Sequence, residues 1–208
     1  MAERPTSRLR NLLKGPDLIS APGVADALNA RLVAQAGFKA IYMTGAGTSA
    51  VRLGVPDIGL LTMHEMVDNA GRIAEASGLP LIADADTGYG GPINVRRTIQ
   101  AYERAGVAGV HIEDQQWPKR CGHLAGKTLI PTEEMSAKIK AAVDARMDDD
   151  FVVIARSDAL AVEGFDAVMA RGKAYEEAGA DIIFIEAPRD MDQLRQIPEA
   201  FDVPTLYN

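Results

Sequence analysis

The sequence predicts an α/β chain of the (β/α)8 barrel type, and three observations carry that prediction. Short apolar runs rich in Val and Ile recur between longer helical patterns, as in a parallel sheet wound with helices. A helix-ending glycine that launches a strand repeats in Ala36-Gly37-Phe38-Lys39-Ala40-Ile41, Ala105-Gly106-Val107-Ala108-Gly109-Val110 and Ala178-Gly179-Ala180-Asp181-Ile182-Ile183, about seventy residues apart, or roughly two (β/α) units. Polar residues cluster where the apolar runs end, which is where barrels of this type place their chemistry.

The runs define seven candidate strands. The first, Leu18–Ala21, precedes a Pro22-Gly23 turn. The second, Ala40–Met43, leads into Gly45-Ala46-Gly47-Thr48-Ser49-Ala50, which satisfies the G-x-G-x-x-A dinucleotide pattern of a doubly wound sheet. That pattern belongs in the first βα turn and opens a long helix, whereas Gly54, Pro56 and Gly59 follow too soon for one, so the stretch reads as a ligand-facing loop. Leu79–Ala83 and Gly109–Ile112 are the third and fourth strands. The fifth, Phe151–Ala155, follows Asp148-Asp149-Asp150, read as a solvated turn. Asp181–Ile185 and Pro204–Tyr207 complete the set. A (β/α)8 barrel has eight strands in typically about 250 residues. The expectation is therefore one barrel domain over residues 1–208, truncated after its seventh strand, with the C-terminal part of the barrel outside this sequence.

A hydrophobic content of 47% in 208 residues suffices for one sizeable core. The net charge of −7 comes without a clustered basic face, which argues against nucleic acid and for a small-molecule partner. No apolar run has the length of a membrane span, and the polar start lacks the apolar centre of a secretory signal, so a cytoplasmic location is expected. A single cysteine, Cys121, excludes an internal disulfide framework.

The third strand ends in Asp84-Ala85-Asp86-Thr87-Gly88, the fourth in Glu113-Asp114, the fifth in Arg156-Ser157-Asp158 and the sixth in Glu186. Side chains alternate along a strand, so Asp84 and Asp86 face the same way and repel unless something positive stands between them. A divalent cation meets that need, and oxygen ligands without a histidine pair favour magnesium over zinc. One such Asp could be a helix cap; repetition on four strands makes that reading poor. The second informative stretch is Trp117-Pro118-Lys119-Arg120-Cys121-Gly122-His123. Lys119, Arg120 and His123 put positive charge beside the thiol, the surroundings that make a cysteine reactive, and Gly122 and Gly126 suit a loop able to close over a substrate. His64 reads as a surface residue, His111 as a packed strand residue and Trp117 as a loop anchor.

Lys119-Arg120-Cys121-Gly122-His123 resembles the catalytic-loop signature of isocitrate and 2-methylisocitrate lyases. The resemblance extends through Tyr42-Met43-Thr44-Gly45-Ala46-Gly47, Asp84 to Gly90, His111 to Gln115, Ala155 to Ala159 and Glu186 to Asn208, so the chain is similar to the isocitrate lyase and phosphoenolpyruvate mutase superfamily nearly throughout. The resemblance implies magnesium, or manganese in its place, on Asp86, with Asp57, Asp84 and Glu113 in the outer shell. It implies a substrate carboxylate on Thr44, Gly45 and Ala46, a pocket lined by Arg156, Glu186 and Asn208, and contributions from Gly122 and His123 of the loop. Relatives often carry Ser and Gly at the positions of Thr44 and Ala46; the changes keep small residues and bear on substrate preference.

The implied reaction is retro-aldol cleavage of a 2-hydroxy di- or tricarboxylate to a 2-oxo acid and a carboxylate. Cys121 is the implied acid that protonates the departing carbanion. Lys119, His123 and Arg156 complete the catalytic group, and Tyr42 is the candidate base for the hydroxyl proton. Where 2-methylisocitrate lyases often continue with Arg-Pro, this chain reads Leu124-Ala125-Gly126-Lys127, closer to enzymes of branched malates. The leading substrates are thus 2-methylisocitrate and 2,3-dimethylmalate. Rival readings are an oxaloacetate decarboxylase, a phosphonate mutase or hydrolase, which Cys121 argues against, and a non-catalytic barrel acting as a binding protein. The resemblance also implies a homotetramer with helix exchange.

Overall fold

The computed structural model describes residues 3–122 and 124–208. The order is α1 (Pro5–Leu13), β1 (Gly23–Val24), α2 (Ala27–Gln35), β2 (Ile41–Met43), α3 (Gly45–Leu53), α4 (Met63–Ser77), β3 (Leu81–Asp84), α5 (Pro92–Arg104), β4 (Gly109–Glu113), α6 (Thr132–Ala145), β5 (Val152–Ser157), α7 (Ala159–Val162), α8 (Phe165–Glu177), β6 (Ile182–Ile185), α9 (Met191–Ala200) and β7 (Thr205–Leu206). Seven parallel strands lie side by side in sequence order, β1 to β7, as the crossover helices of a TIM-type barrel require.

Ring contacts show that the sheet curls. Neighbouring strands are about 4.8 Å apart, so next-but-one strands of a flat sheet stand nearly 10 Å apart. Yet Tyr42 of β2 stacks on His111 of β4 with centroids 5.6 Å apart, and His111 meets Phe184 of β6 edge-on at 5.8 Å. Alternate strands thus supply one interior layer. Strand alternation then sorts the rest. Leu81, Ala83, Val110, Ile112, Val153, Ala155, Ile183 and Ile185 point outward into the main core beneath the helices. Ile82, Val152, Ile154, Ile182 and Phe184 point inward, where Leu9 and Leu13 of α1 pack against them and floor the barrel. Two residues further up, the same alternation places Asp84, Glu113, Arg156 and Glu186 inside, at the carboxyl end.

Three expectations need correction, and one helix, α1, is additional to them. The first strand is Gly23–Val24, not Leu18–Ala21: pairing begins at the Pro22 carbonyl, which accepts from Tyr42 N–H at 3.0 Å, and Leu18 is 97% exposed. The Gly45–Ala50 stretch is helix α3 and not a loop, because Thr44 caps its start through Gly47 N–H and Gly54, at φ 68°, ends it after nine residues. Helix α1 was not foreseen. Asp148 and Asp150 are its anchor and not merely a solvated turn: Thr6 donates to Asp148 at 2.7 Å, Ser7 to Asp150 at 2.5 Å, and Arg4 pairs with both.

Candidate active site

Asp84 is committed to shaping the backbone. Its Oδ1 accepts from Asp86 N–H at 2.8 Å and its Oδ2 from Gly45 N–H at 3.1 Å, which fixes both the turn after β3 and the start of α3. Burial alone would raise this carboxyl, but His111, 3.4 Å away, and the charges of Lys119 and Arg156 outweigh it and hold the group well below the usual range. Asp86 leaves the strand at φ 47° with 2% of its surface exposed. Burial, then the neighbouring Asp84, push its carboxyl up to about 6 against the pull of Lys119.

Lys119 is where reach overrides sequence neighbourhood. Expected beside the thiol, its ammonium is buried between Asp57 and Asp86, 2.6 Å from a carboxylate oxygen of each. The positive group that relieves the acidic cluster is therefore this side chain. Burial opposes the charge, but Asp84, Asp86, Glu113 and Asp57 raise its affinity for the proton far above the ordinary value. Across the mouth, Arg156 lies 3.4 Å from both Glu113 and Glu186 and over the Phe184 ring, which makes a ring of alternating charge. Burial drives the Glu113 carboxyl well above its ordinary value, and Arg156 only partly offsets it.

The segment after β4 is a hairpin-like arm. Gln116 N–H donates to Thr128 O at 2.8 Å and zips the two legs, while the Gln115 side chain grips Arg120 through both its N–H and its carbonyl. The tip folds onto the ring. Cys121 N–H donates to Asp57 O at 2.9 Å, and Gly122 packs so closely on Arg156 and Glu186 that a β-carbon there would overlap both. Cys121, half-buried, thus stands at the same mouth as Asp86. His123 lies outside the described residues. Trp117 leans on Gly59, the anchoring role expected of it, while His111 is buried and His64 is exposed.

The remaining expected residues divide. Thr44 and Gly45 open α3, but the Thr44 hydroxyl accepts from Gly47 and the Gly45 amide serves Asp84; Ala46 adds a first-turn N–H, a position without an intrahelical partner. Tyr42 sits one layer below the ring, and burial followed by Asp84 pushes its phenol well above the ordinary value, so it is a proton donor at neutral pH. Asn208 is exposed beyond β7, and its side chain makes no contact with the ring among the described residues. Sequence reasoning missed Lys127, which is 8% exposed, and the role of Asp158; Lys127 is buried among polar groups that no local pattern announces.

These residues suit a hard cation. Apart from the ion pair with Lys119, Asp86 Oδ1 has no hydrogen-bond donor, and Glu113 Oε1 has none, although both are buried. No three acidic, His or Cys side chains form a ready-made cage among the described residues. Magnesium does not need one, since it binds through one or two carboxylates and fills its remaining positions with water and substrate.

A family model described as phosphoenolpyruvate phosphomutase matches residues 9–207. The chain belongs to the phosphoenolpyruvate mutase and isocitrate lyase superfamily. Within that superfamily its curated relatives place it among the carbon–carbon lyases. It is 51% identical over 202 residues to 2,3-dimethylmalate lyase of Eubacterium barkeri, covering 97% of this chain and 70% of that one. It is 47% identical over 201 residues to 2-methylisocitrate lyase of Shewanella oneidensis, covering 97% and 69%. Among solved structures, oxaloacetate acetylhydrolase in complex with the inhibitor 3,3-difluorooxalacetate superposes with a TM-score of 0.94 at 47% identity, over 97% of this chain and 70% of that one. Phosphonopyruvate hydrolase in complex with oxalate and magnesium gives 0.88 at 37%, over 98% and 71%.

Proposed function

We propose that the chain is a magnesium-dependent lyase that cleaves a short, branched 2-hydroxy di- or tricarboxylate, of the 2,3-dimethylmalate or 2-methylisocitrate type, into a 2-oxo acid and a carboxylate. The observation that carries this reading is the seating of the Cys121 arm on the acidic ring, which brings the segment that bears the thiol onto the carboxylates and Arg156.

Asp86, with Glu113, Asp84 and Asp57 behind it, would hold magnesium, which would supply Lewis-acid neutralisation of the substrate's hydroxyl and carboxylate oxygens. The chain's own residues do the rest. Arg156, the Thr44 hydroxyl and the Ala46 N–H in the first turn of α3 bind carboxylate oxygens, while the Gly45 amide stays with Asp84; Glu186 and Gly122 bound the pocket. The hydroxyl gives up its proton to solvent, the neighbouring carbon–carbon bond breaks, and the bond's electron pair stays on the carbon beside the departing carboxylate. The Cys121 thiol protonates that carbon, and the resulting thiolate is later restored by the proton released from the hydroxyl. Tyr42, expected as the base for the hydroxyl proton, has a phenol that burial and Asp84 hold against ionisation, so its role is to donate a hydrogen bond to a substrate oxygen. The closed arm excludes water that would otherwise quench the carbanion.

The test is a panel of branched and unbranched 2-hydroxy acids, with oxaloacetate and phosphonopyruvate included, assayed with magnesium for release of pyruvate or glyoxylate and, from oxaloacetate, of oxalate. One branched acid should turn over, and C121S should lose that activity. A panel that yields nothing, or a C121S protein with near-normal turnover, refutes the assignment. Oxaloacetate is on the panel because of the close superposition with oxaloacetate acetylhydrolase.

A further inference from the structure

The returning leg of the Cys121 arm carries a buried lysine that the proposed chemistry does not use. Lys127 Nζ donates to the Gly122 carbonyl and to Asp158 Oδ1 at 3.1 Å. Asp158, 1% exposed, also accepts from Arg156 through Nε at 3.2 Å and a terminal nitrogen at 3.1 Å. One carboxylate therefore holds the ring's guanidinium directly and, through Lys127, the residue that follows the catalytic thiol. Its own seat is firm. Asp158 N–H donates to Asp114 at 2.9 Å, and Asp114 in turn accepts from Ser157 at 2.6 Å and from Tyr175 of α8 at 2.8 Å.

We propose that Lys127 and Asp158 are positioning residues that form a latch: they hold the Cys121 arm down and couple that seated state to the orientation of Arg156. Lifting the arm withdraws Lys127 and leaves a buried carboxylate with one cation where it had two, so a seated arm and an oriented Arg156 favour each other. Breaking either side of the pair lets the arm rise. The lysine acts through Gly122 and, by way of Asp158, through Arg156.

These 208 residues hold one cysteine, so the rate at which a disulfide reagent such as dithiodipyridine modifies Cys121 in the full-length protein, followed on its own peptide by mass spectrometry, reports arm position without any substrate. K127M and D158N should each raise that rate about tenfold, equivalent to about 1.4 kcal/mol in the opening equilibrium. Their cooperative melting should be retained, the double variant should be no faster than the faster single one, and K127R should restore slow modification. If K127M does not fold, K127Q is measured in its place. With a substrate from the panel, K127M should lower kcat more than it changes KM, because Arg156 keeps its bonds to Asp158 while the donor is displaced. Modification rates within about twofold of the parent in folded variants, or additive rates in the double variant, overturn the latch. The catalytic arm of the test rests on the lyase reading, whereas the thiol measurement does not, so the two can fail separately.

Discussion

Gly122 shows how a single residue sets the working geometry. Its conformation is open to other residues; what it cannot tolerate is bulk, because a β-carbon would strike the guanidinium of Arg156 and the carboxylate of Glu186. G122A should therefore fold normally, as judged by its melting temperature, yet lose about 100-fold in turnover, the scale expected when a catalytic group is displaced by about an ångström. Near-parental turnover would show that the seated arm is not the reactive one. Lys119 makes the complementary point. Its charge was legible and its destination was not, because a long side chain spans the barrel mouth and joins Asp57, 62 residues away in sequence. The Asp84, Glu113, Arg156 and Glu186 set was legible, since each follows an apolar run and alternation alone decides which way it faces.

Among elements, the strands could be read because their outward residues must be apolar to meet the helices and their inward residues are apolar in the lower layers. Helix α1 could not. Only Leu9 is fully buried in it, and the partners that fix its place, Asp148, Asp150 and Asp181, lie more than a hundred residues downstream. That anchorage predicts a pH dependence. The bond from Ser7 holds the Asp150 carboxyl below its ordinary 3.8, with burial opposing and Arg4, Arg10 and Lys14 assisting. The stabilisation is complete above that ordinary value and is lost as the pH falls through the lower, folded-state value. D150N should cost at most about 1 kcal/mol at neutral pH, since the pair is partly solvated. The gap between parent and variant in thermal melts should close as the pH drops below about 4; a gap that stays constant would mean that charge is not what holds the helix.

At the scale of the whole molecule, a polar upper layer rests on an apolar floor, so charge repulsion among Asp57, Asp84, Asp86 and Glu113 is concentrated at one end. A cation bound there stabilises the folded chain over the unfolded one. At a magnesium concentration about 100 times its dissociation constant, the gain is about 2.7 kcal/mol, or a rise of roughly 5–10 °C in melting temperature for a chain of this size. D86N should abolish the rise. An equal rise in parent and variant would place the ion elsewhere.

The contact between Trp117 and Gly59 gives the protein a built-in optical gauge. Trp117 is the single tryptophan of these 208 residues, half in water, at the root of the arm whose tip carries the thiol. Its emission colour follows how much solvent the indole sees, so a red shift on breaking the arm's contacts, and a blue shift on filling the mouth, would let closure be timed in a stopped-flow cuvette with no label attached.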